Sequence, residues 1–222
     1  MPARASYDRA VIDAILDEAM VAHVGFAVDE QPYVIPTLHA RVGDTVYFHG
    51  SSASRTIRAL AAGAPACLTV TSIDGLVLAR SAVHHSVNYR SAVVFGNASA
   101  IEDLGERMSA IQAFTERLVP GRWDEVRPPT EKEIKAIQVL AMPLTEVSAK
   151  VRTGPPVDDD EDYALPTWAG VIPLRMLAGA PIPDRRLTDG IELSPAVSRW
   201  TAARAPVARG RAHVLVSDTK PT

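Results

Sequence analysis

Cysteine is almost missing from this chain of 222 residues. Cys67 stands alone, which excludes an internal disulfide framework and any Cys-rich metal site. It lies in ACLTVTS, where a small buried hydrophobe is the ordinary reading. No apolar run approaches the roughly 20 residues needed to cross a bilayer. The N-terminal MPARASYDRA also lacks the apolar core of a signal peptide. A dominant charge is missing too, since a net charge of −3 gives no global pull towards nucleic acid or anionic membrane. The chain contains no GxGxxG, Walker A, HExxH or GxSxG sequence, so a doubly wound nucleotide fold and hydrolytic or nucleophilic catalysis have no motif behind them. These absences lead to the expectation of a cytoplasmic protein with no nucleic-acid, membrane or metal partner.

What is present is apolar patterning. Hydrophobic residues make up 47% of the chain, enough for one sizeable core or one core with an appendage. Ser6 can cap a first helix with a stripe of Ile12, Ile15, Leu16 and Ala19, ending near Met20. HVGFAV from His23 is a short strand. YVIPTLHAR from Tyr33 is a second, with Pro36 required at an edge or bulge. Gly43-Asp44 turns into a third strand from Thr45, followed by a helix over residues 51–62 and a Gly-Ala-Pro stop. Strands are expected at 66–72 and 76–83 around Ile73-Asp74-Gly75, and again at 91–101. Two helices follow, one carrying Leu104, Met108, Ile111 and Leu118, the other opening with a Thr130–Glu133 capping box and carrying Ile134, Ile137 and Leu140. Residues 142–152 read as a returning strand. Six to seven antiparallel strands without βαβ alternation make the chain mainly β, and point to a closed barrel with peripheral α-helices. Asp158 to Asp162 are five consecutive acids, read as a solvated loop because like charges repel; a metal site is the sharper alternative, but consecutive acids do not all converge on one ion. The division expected is a domain over 1–180 and a C-terminal arm or tail over 181–222, available to pack on a partner subunit.

The richest stretch chemically is Thr45 to Leu60, TVYFHGSSASRTIRAL. A strand ends in a Gly-Ser corner and enters a helix whose first turn holds Arg55, where the macrodipole disfavours a cation. No acidic residue lies between Gly50 and Leu60 to offset it. Either an anion such as a phosphate sits at the corner, or this is a serine cap followed by a solvated arginine. A second polar cluster is HHSVNYRS from His84, which faces solvent or surrounds a polar ligand. His84 and His85 point to opposite faces of an extended segment and cannot easily share a metal. Trp168, ahead of Gly170, is a core, interface or ligand-stacking residue. His39 and His49 flank the serine corner on strands and are either satisfied polar groups or haem or metal ligands.

Taken together, PYVIPTLHARVGDTVYFHGSSASRTIRAL, HHSVNYRSAVVFGNASAIED and DYALPTWAGVIPL resemble the pyridoxamine 5′-phosphate oxidase-related flavin-nucleotide-binding proteins, over roughly residues 8 to 180. The resemblance implies a split β-barrel that binds FMN at the interface of a homodimer. It makes Ser54 and Arg55 the phosphate-binding pair, with Ser51 and Thr56 in the same corner. It places Pro36, Thr37, Leu38 and His39 beneath the flavin edge, and His49 and Gly50 beside the ring. It also puts Asn88, Tyr89 and Arg90 in the lining of the cleft, and Trp168 late against the cofactor. Thr56 stands where true pyridoxamine phosphate oxidases carry lysine, and their C-terminal Arg-x-His arrangement is missing. The expected function is therefore an FMN-dependent oxidoreductase on an unidentified small molecule, with His39 and Tyr89 as candidates for proton delivery. The alternatives are a non-catalytic flavin or haem binder or sensor, with His39, His49, His84 or His85 as axial-ligand candidates, and a deazaflavin-dependent reductase.

Overall fold

Period-two alternation of buried and exposed side chains runs through most of a computed structural model that describes residues 4–205. The chain divides into two units, one ending at Arg175 and the other beginning at Met176. The first contains β1 (Ala5–Ser6), α1 (Arg9–Glu18), β2 (Val21–Val28), β3 (Gln31–Val42), β4 (Thr45–Ser51), α2 (Arg55–Ala61) and β5 (Pro65–Leu78). It continues with β6 (Ser86–Asn97), β7 (Ser99–Ala100), α3 (Leu104–Leu118), α4 (Glu131–Ala136), β8 (Ile137–Pro143), β9 (Glu146–Arg152) and β10 (Gly170–Pro173). The described part of the second unit holds α5 (Pro195–Arg204), in which Arg204 stacks over the Trp200 ring. The rest of the expected arm, beyond residue 205, lies outside the described residues.

The strands form one antiparallel sheet in the order β1-β9-β6-β5-β2-β3-β4-β8-β7, and β10 pairs with β5 beyond the reach of β2. Seven strands are long and three are short, so a mainly β, split-barrel architecture holds. The sheet is not closed, because no ladder joins its two ends among the described residues. Only the chain itself passes between them, from β6 into β7 and around the β8–β9 turn. One core lies inside the curl, with Leu16, Val24, Val46, Phe48, Leu60, Leu68, Leu140 and Met142 fully or almost fully buried. Each such side chain contributes about 1.5–3 kcal/mol of burial free energy. A smaller cluster of Ala40, Ile101, Ala110, Phe114 and Val139 sits beneath α3, on the other face of β3 and β8.

Several sequence expectations are corrected. Asp8, not Ser6, caps α1, accepting from Ala10 N–H at 2.9 Å. Ile73-Asp74-Gly75 is a bulge inside the single strand β5, not a break between two strands. It persists because Gly75 lies against β10, where a Cβ would meet the Ile172 carbonyl at 3.0 Å, while the Asp74 carboxylate pairs with Arg90. The capping box at Thr130 is present, but α4 stops at Ala136 and Ile137 opens a strand. The β8–β9 hairpin therefore replaces one returning strand. On α3 the buried face is Arg107, Ala110 and Phe114, while Leu104 and Leu118 are exposed. Small Ala110 sits at this buried contact, and Arg107 is satisfied by the Ile101 carbonyl at 2.5 Å.

The C-terminal carbonyls of α1 need donors. His39 Nε2 donates to the Leu16 carbonyl at 2.9 Å, and Arg117 of α3 donates to the Ala19 carbonyl at 2.5 Å. Arg90 adds a further tie, pairing with both Glu18 and Asp74 and lowering the pKa of each carboxyl. Burial is the main cause that depresses the His39 pKa below its ordinary 6.5. A proton taken up on unfolding is therefore refused by the native state, and stability is full above about pH 6.5 and declines as pH falls below it. Denaturant titrations at about pH 7 and pH 5 should show that decline, and His39→Gln should reduce the difference between them. An unchanged difference in the variant would remove His39 from the account.

Candidate functional site

The site originates where β3 and β4 part. Their ladder runs from Val42↔Thr45 to His39↔Phe48 and stops. Beyond that point β3 stays paired with β2 through Gln31, while β4 stays paired with β8 through Ser51. Facing edges of the two strands consequently carry no ladder across the gap. Pro36, which has no N–H to lose, stands on this open edge of β3.

The gap is a cleft of about 210 Å³, lined by Val24, Ile35, Pro36, Thr37, Phe48, His49, Gly50, Ser51, Ser54, Thr56 and Ile57. Its lining is chemically mixed. Val24, Ile35, Pro36, Phe48 and Ile57 make an apolar wall, whereas Ser51, Ser54 and Thr56 gather hydroxyls where β4 turns into α2. No carboxylate lines it. Gly50 allows the corner to form, since a Cβ there would meet Ile57 Cγ1 at 2.9 Å. The Ser54 hydroxyl caps α2 by accepting from Ile57 N–H at 3.1 Å, and the Ser51 hydroxyl accepts from Ala53 N–H at 3.3 Å.

Arg55 is exposed and reaches from α2 to β3, where its Nη1 donates to the Tyr33 hydroxyl at 2.8 Å and its guanidinium lies 5.2 Å from the Tyr33 ring centre. Tyr33 in turn stacks on Phe26 at 5.4 Å. Among the described residues Arg55 has no carboxylate partner, unlike Arg9, Arg41, Arg80 and Arg90. His49 packs edge-on against Phe114 at 4.8 Å, and burial holds its pKa below the ordinary histidine value, so the imidazole is neutral near pH 7.

Seven of the residues named from the sequence come together here: Pro36, Thr37, His49, Gly50, Ser51, Ser54 and Thr56. Arg55 stands next to this lining without belonging to it, its guanidinium turned to Tyr33, and the others lie elsewhere. Leu38 and His39 border a much smaller cavity beside Phe114 and Arg117. Asn88 is buried and committed to Arg152 and to the Gly154 carbonyl. Tyr89 pairs in register with Ile73 and Arg152, and Arg90 is held by Glu18 and Asp74. Trp168 is 66% exposed, with its indole against Gly170. Tyr33, Ile35 and Phe114 were not picked out by sequence reasoning. Period two along β3 puts Tyr33, Ile35 and Thr37 on one face, a signal that was available. Nothing local marks Phe114, which reaches His49 only through the packing of α3.

A split antiparallel sheet with a hydroxyl-rich, carboxylate-free corner at its parting strands defines a split-barrel architecture. Residues 8–151 match the family described as pyridoxamine 5′-phosphate oxidase, and the chain belongs to that family. Among solved structures, the flavocytochrome Anf3 from Azotobacter vinelandii is 44% identical, with a TM-score of 0.82 over 88% of this chain and 91% of that one. The FAD- and haem-binding protein from Mycobacterium smegmatis is 39% identical, with a TM-score of 0.85 over 88% and 96%. No curated protein sequence matches significantly. No helix among the described residues is long and apolar enough to cross a membrane.

Phe114 is 7% exposed and shields His49. Phe114→Ala is expected to cost about 3 kcal/mol of stability and to move the His49 titration up towards the ordinary histidine value. Denaturant unfolding and an NMR pH titration of the imidazole measure the two effects. A His49 titration that stays where it was would break the link.

Proposed function

We propose that the chain binds a flavin nucleotide in the β3–β4 cleft and acts as a flavin-dependent redox protein. The observation that carries this reading is the pairing of an apolar wall with a donor corner in one cleft, beside an arginine that has no carboxylate partner among the described residues. Ile35, Pro36 and Thr37 would hold the flat ring system. Ser51, Ser54, Thr56 and Arg55 would hold a phosphate, with charge-assisted hydrogen bonds from Arg55 replacing the neutral one to Tyr33. Bound flavin would supply the electron transfer itself, and the protein would orient it and keep water from one face. Neutral His49 offers a proton donor or acceptor at the cleft wall. The M. smegmatis relative favours FAD, and the sequence resemblance favours FMN. Deazaflavin is a further candidate, and mass measurement of the extracted cofactor distinguishes all three. The cleft is smaller than the ~300–1,000 Å³ usual for an enclosing site, which supports a homodimer whose second chain covers the remainder. The substrate is a small electron acceptor or donor that reaches the exposed face.

The purified chain should be yellow and sediment as two chains with one flavin each. Arg55→Ala should weaken FMN and FAD binding about 10- to 100-fold, the range of a lost charge-assisted hydrogen bond. A colourless protein that takes up no flavin at micromolar concentration, or an Arg55→Ala variant that binds as the parent does, would defeat the reading.

Haem is a second group with a specific observation in its favour. His85 is exposed, and its Nδ1 donates to the Ser81 carbonyl at 3.0 Å, which fixes the ring and leaves Nε2 as the available ligand atom. That backbone tether is the usual second contact of a metal-bound histidine. His39, by contrast, already spends Nε2 on Leu16 inside the core. The two relatives described above are a flavocytochrome and an FAD- and haem-binding protein. Haem titration should produce a Soret band that His85→Ala abolishes and His39→Ala leaves in place, with flavin uptake unchanged in the first variant. A band that survives His85→Ala assigns the ligand elsewhere.

A further inference from the structure

We infer that His84, Asp159 and Asp162 form a binding site for one divalent transition-metal ion of the Zn²⁺ class, which clasps the acidic segment to the β5–β6 connection. The three side chains each offer one ligand atom, and these atoms all lie within 4.8 Å of one another. Donors around a tetrahedral ion at ordinary bond lengths stand about 3.4 Å apart. Rotation of these partly exposed side chains closes the distance.

The arrangement arises from two short turns. A 3-10 turn at Ala82–His84 delivers the imidazole, and another at Asp160–Ala164, begun by Asp159, brings positions three apart to one side. Adjacent acids in an extended run could not converge in this way. Between the two turns stands Asp158. Its side chain is fully buried and accepts from Arg80 N–H at 2.9 Å, Ser81 N–H at 3.2 Å and the Arg80 guanidinium at 3.0 Å. Arg80 also lies over the Tyr163 ring at 4.8 Å. The two turns are thus fastened to each other by groups other than the proposed ligands.

Two observations favour a ligand. The buried His84 Nδ1 makes no hydrogen bond but faces the buried Asp158 carboxylate at 3.7 Å, the outer contact that orients a metal-bound imidazole, which leaves Nε2 as the ligand atom. Among the described residues, neither Asp159 nor Asp162 has a cationic partner, although their carboxylates share one small volume with each other. Mixed imidazole and carboxylate donors select a first-row transition ion over Mg²⁺ or Ca²⁺, for which the imidazole is a poor ligand. The site shares no residue with the β3–β4 cleft, and it does not depend on the flavin reading.

The test is equilibrium dialysis of the purified chain, with whatever flavin it carries, against Zn²⁺. One ion per chain is expected. His84→Ala and the double variant Asp159→Asn/Asp162→Asn should each lose at least about tenfold in affinity, and Asp160→Asn, in the same acidic run, should lose none. Thermal unfolding without metal should be alike in all of them. Absence of Zn²⁺ binding, equal binding by His84→Ala, or an equal loss in Asp160→Asn would each overturn the site. The last outcome would reduce it to the bulk charge of the run.

Discussion

The parting of β3 from β4 beyond His39 and Phe48 is the constraint on which the rest of the first unit depends. Were the ladder to continue, Leu38, Thr37 and Pro36 would meet His49, Gly50 and Ser51, and the sheet would have no cleft. Past that point each strand stays paired on its other edge, to β2 and to β8. A proline at the gap removes one donor that would otherwise favour rejoining. Backbone groups left over on both sides then need partners, and a polar, planar ligand is one way to supply them. The same parting explains why the sheet stays open and why α2 begins where it does, directly beneath the freed end of β4.

Holding the parted strands in place falls to α1 and α3. His39 sits at the last ladder pair of β3 and is fastened to the end of α1, and Arg117 brings α3 to the same helix end. Phe114, three residues earlier on α3, braces His49 at the matching point of β4. One helix therefore touches the fork from both sides. A change in how α3 packs would be felt in the cleft without any contact to a ligand.

Much of this was legible in the residues. Alternation located β2, β3, β4 and β6, and the capping box located α4. The charge conflict at Arg55 marked the serine corner before any geometry was known. What could not be read was long-range. Ile137 and Leu140 continue a helical spacing on paper, but they belong to β8 because the free edge of β4 recruits them. Arg90 and Asn88 look like ligand residues in a polar strand, yet Glu18, Asp74, Arg152 and Gly154, 16 to 72 positions away, already satisfy them. Asp158 was grouped with its acidic neighbours and is the one acid of the run whose side chain is fully buried, because Arg80 and Ser81 happen to face it. Partner choice of that kind is decided by the tertiary fold and leaves no trace in local pattern.

The prolines of β3 bear on a different matter, self-association. A strand that leaves its neighbour exposes a row of unpaired groups, and such an edge invites addition of a strand from another molecule. Pro32 and Pro36 face Ala27 and His23 of β2. A proline keeps the ladder intact there only when its ring nitrogen points away, towards the open side. Two positions on that free edge, four residues apart, are thus unable to donate. An incoming strand would find two positions where a hydrogen bond cannot form, which weakens its hold on that edge.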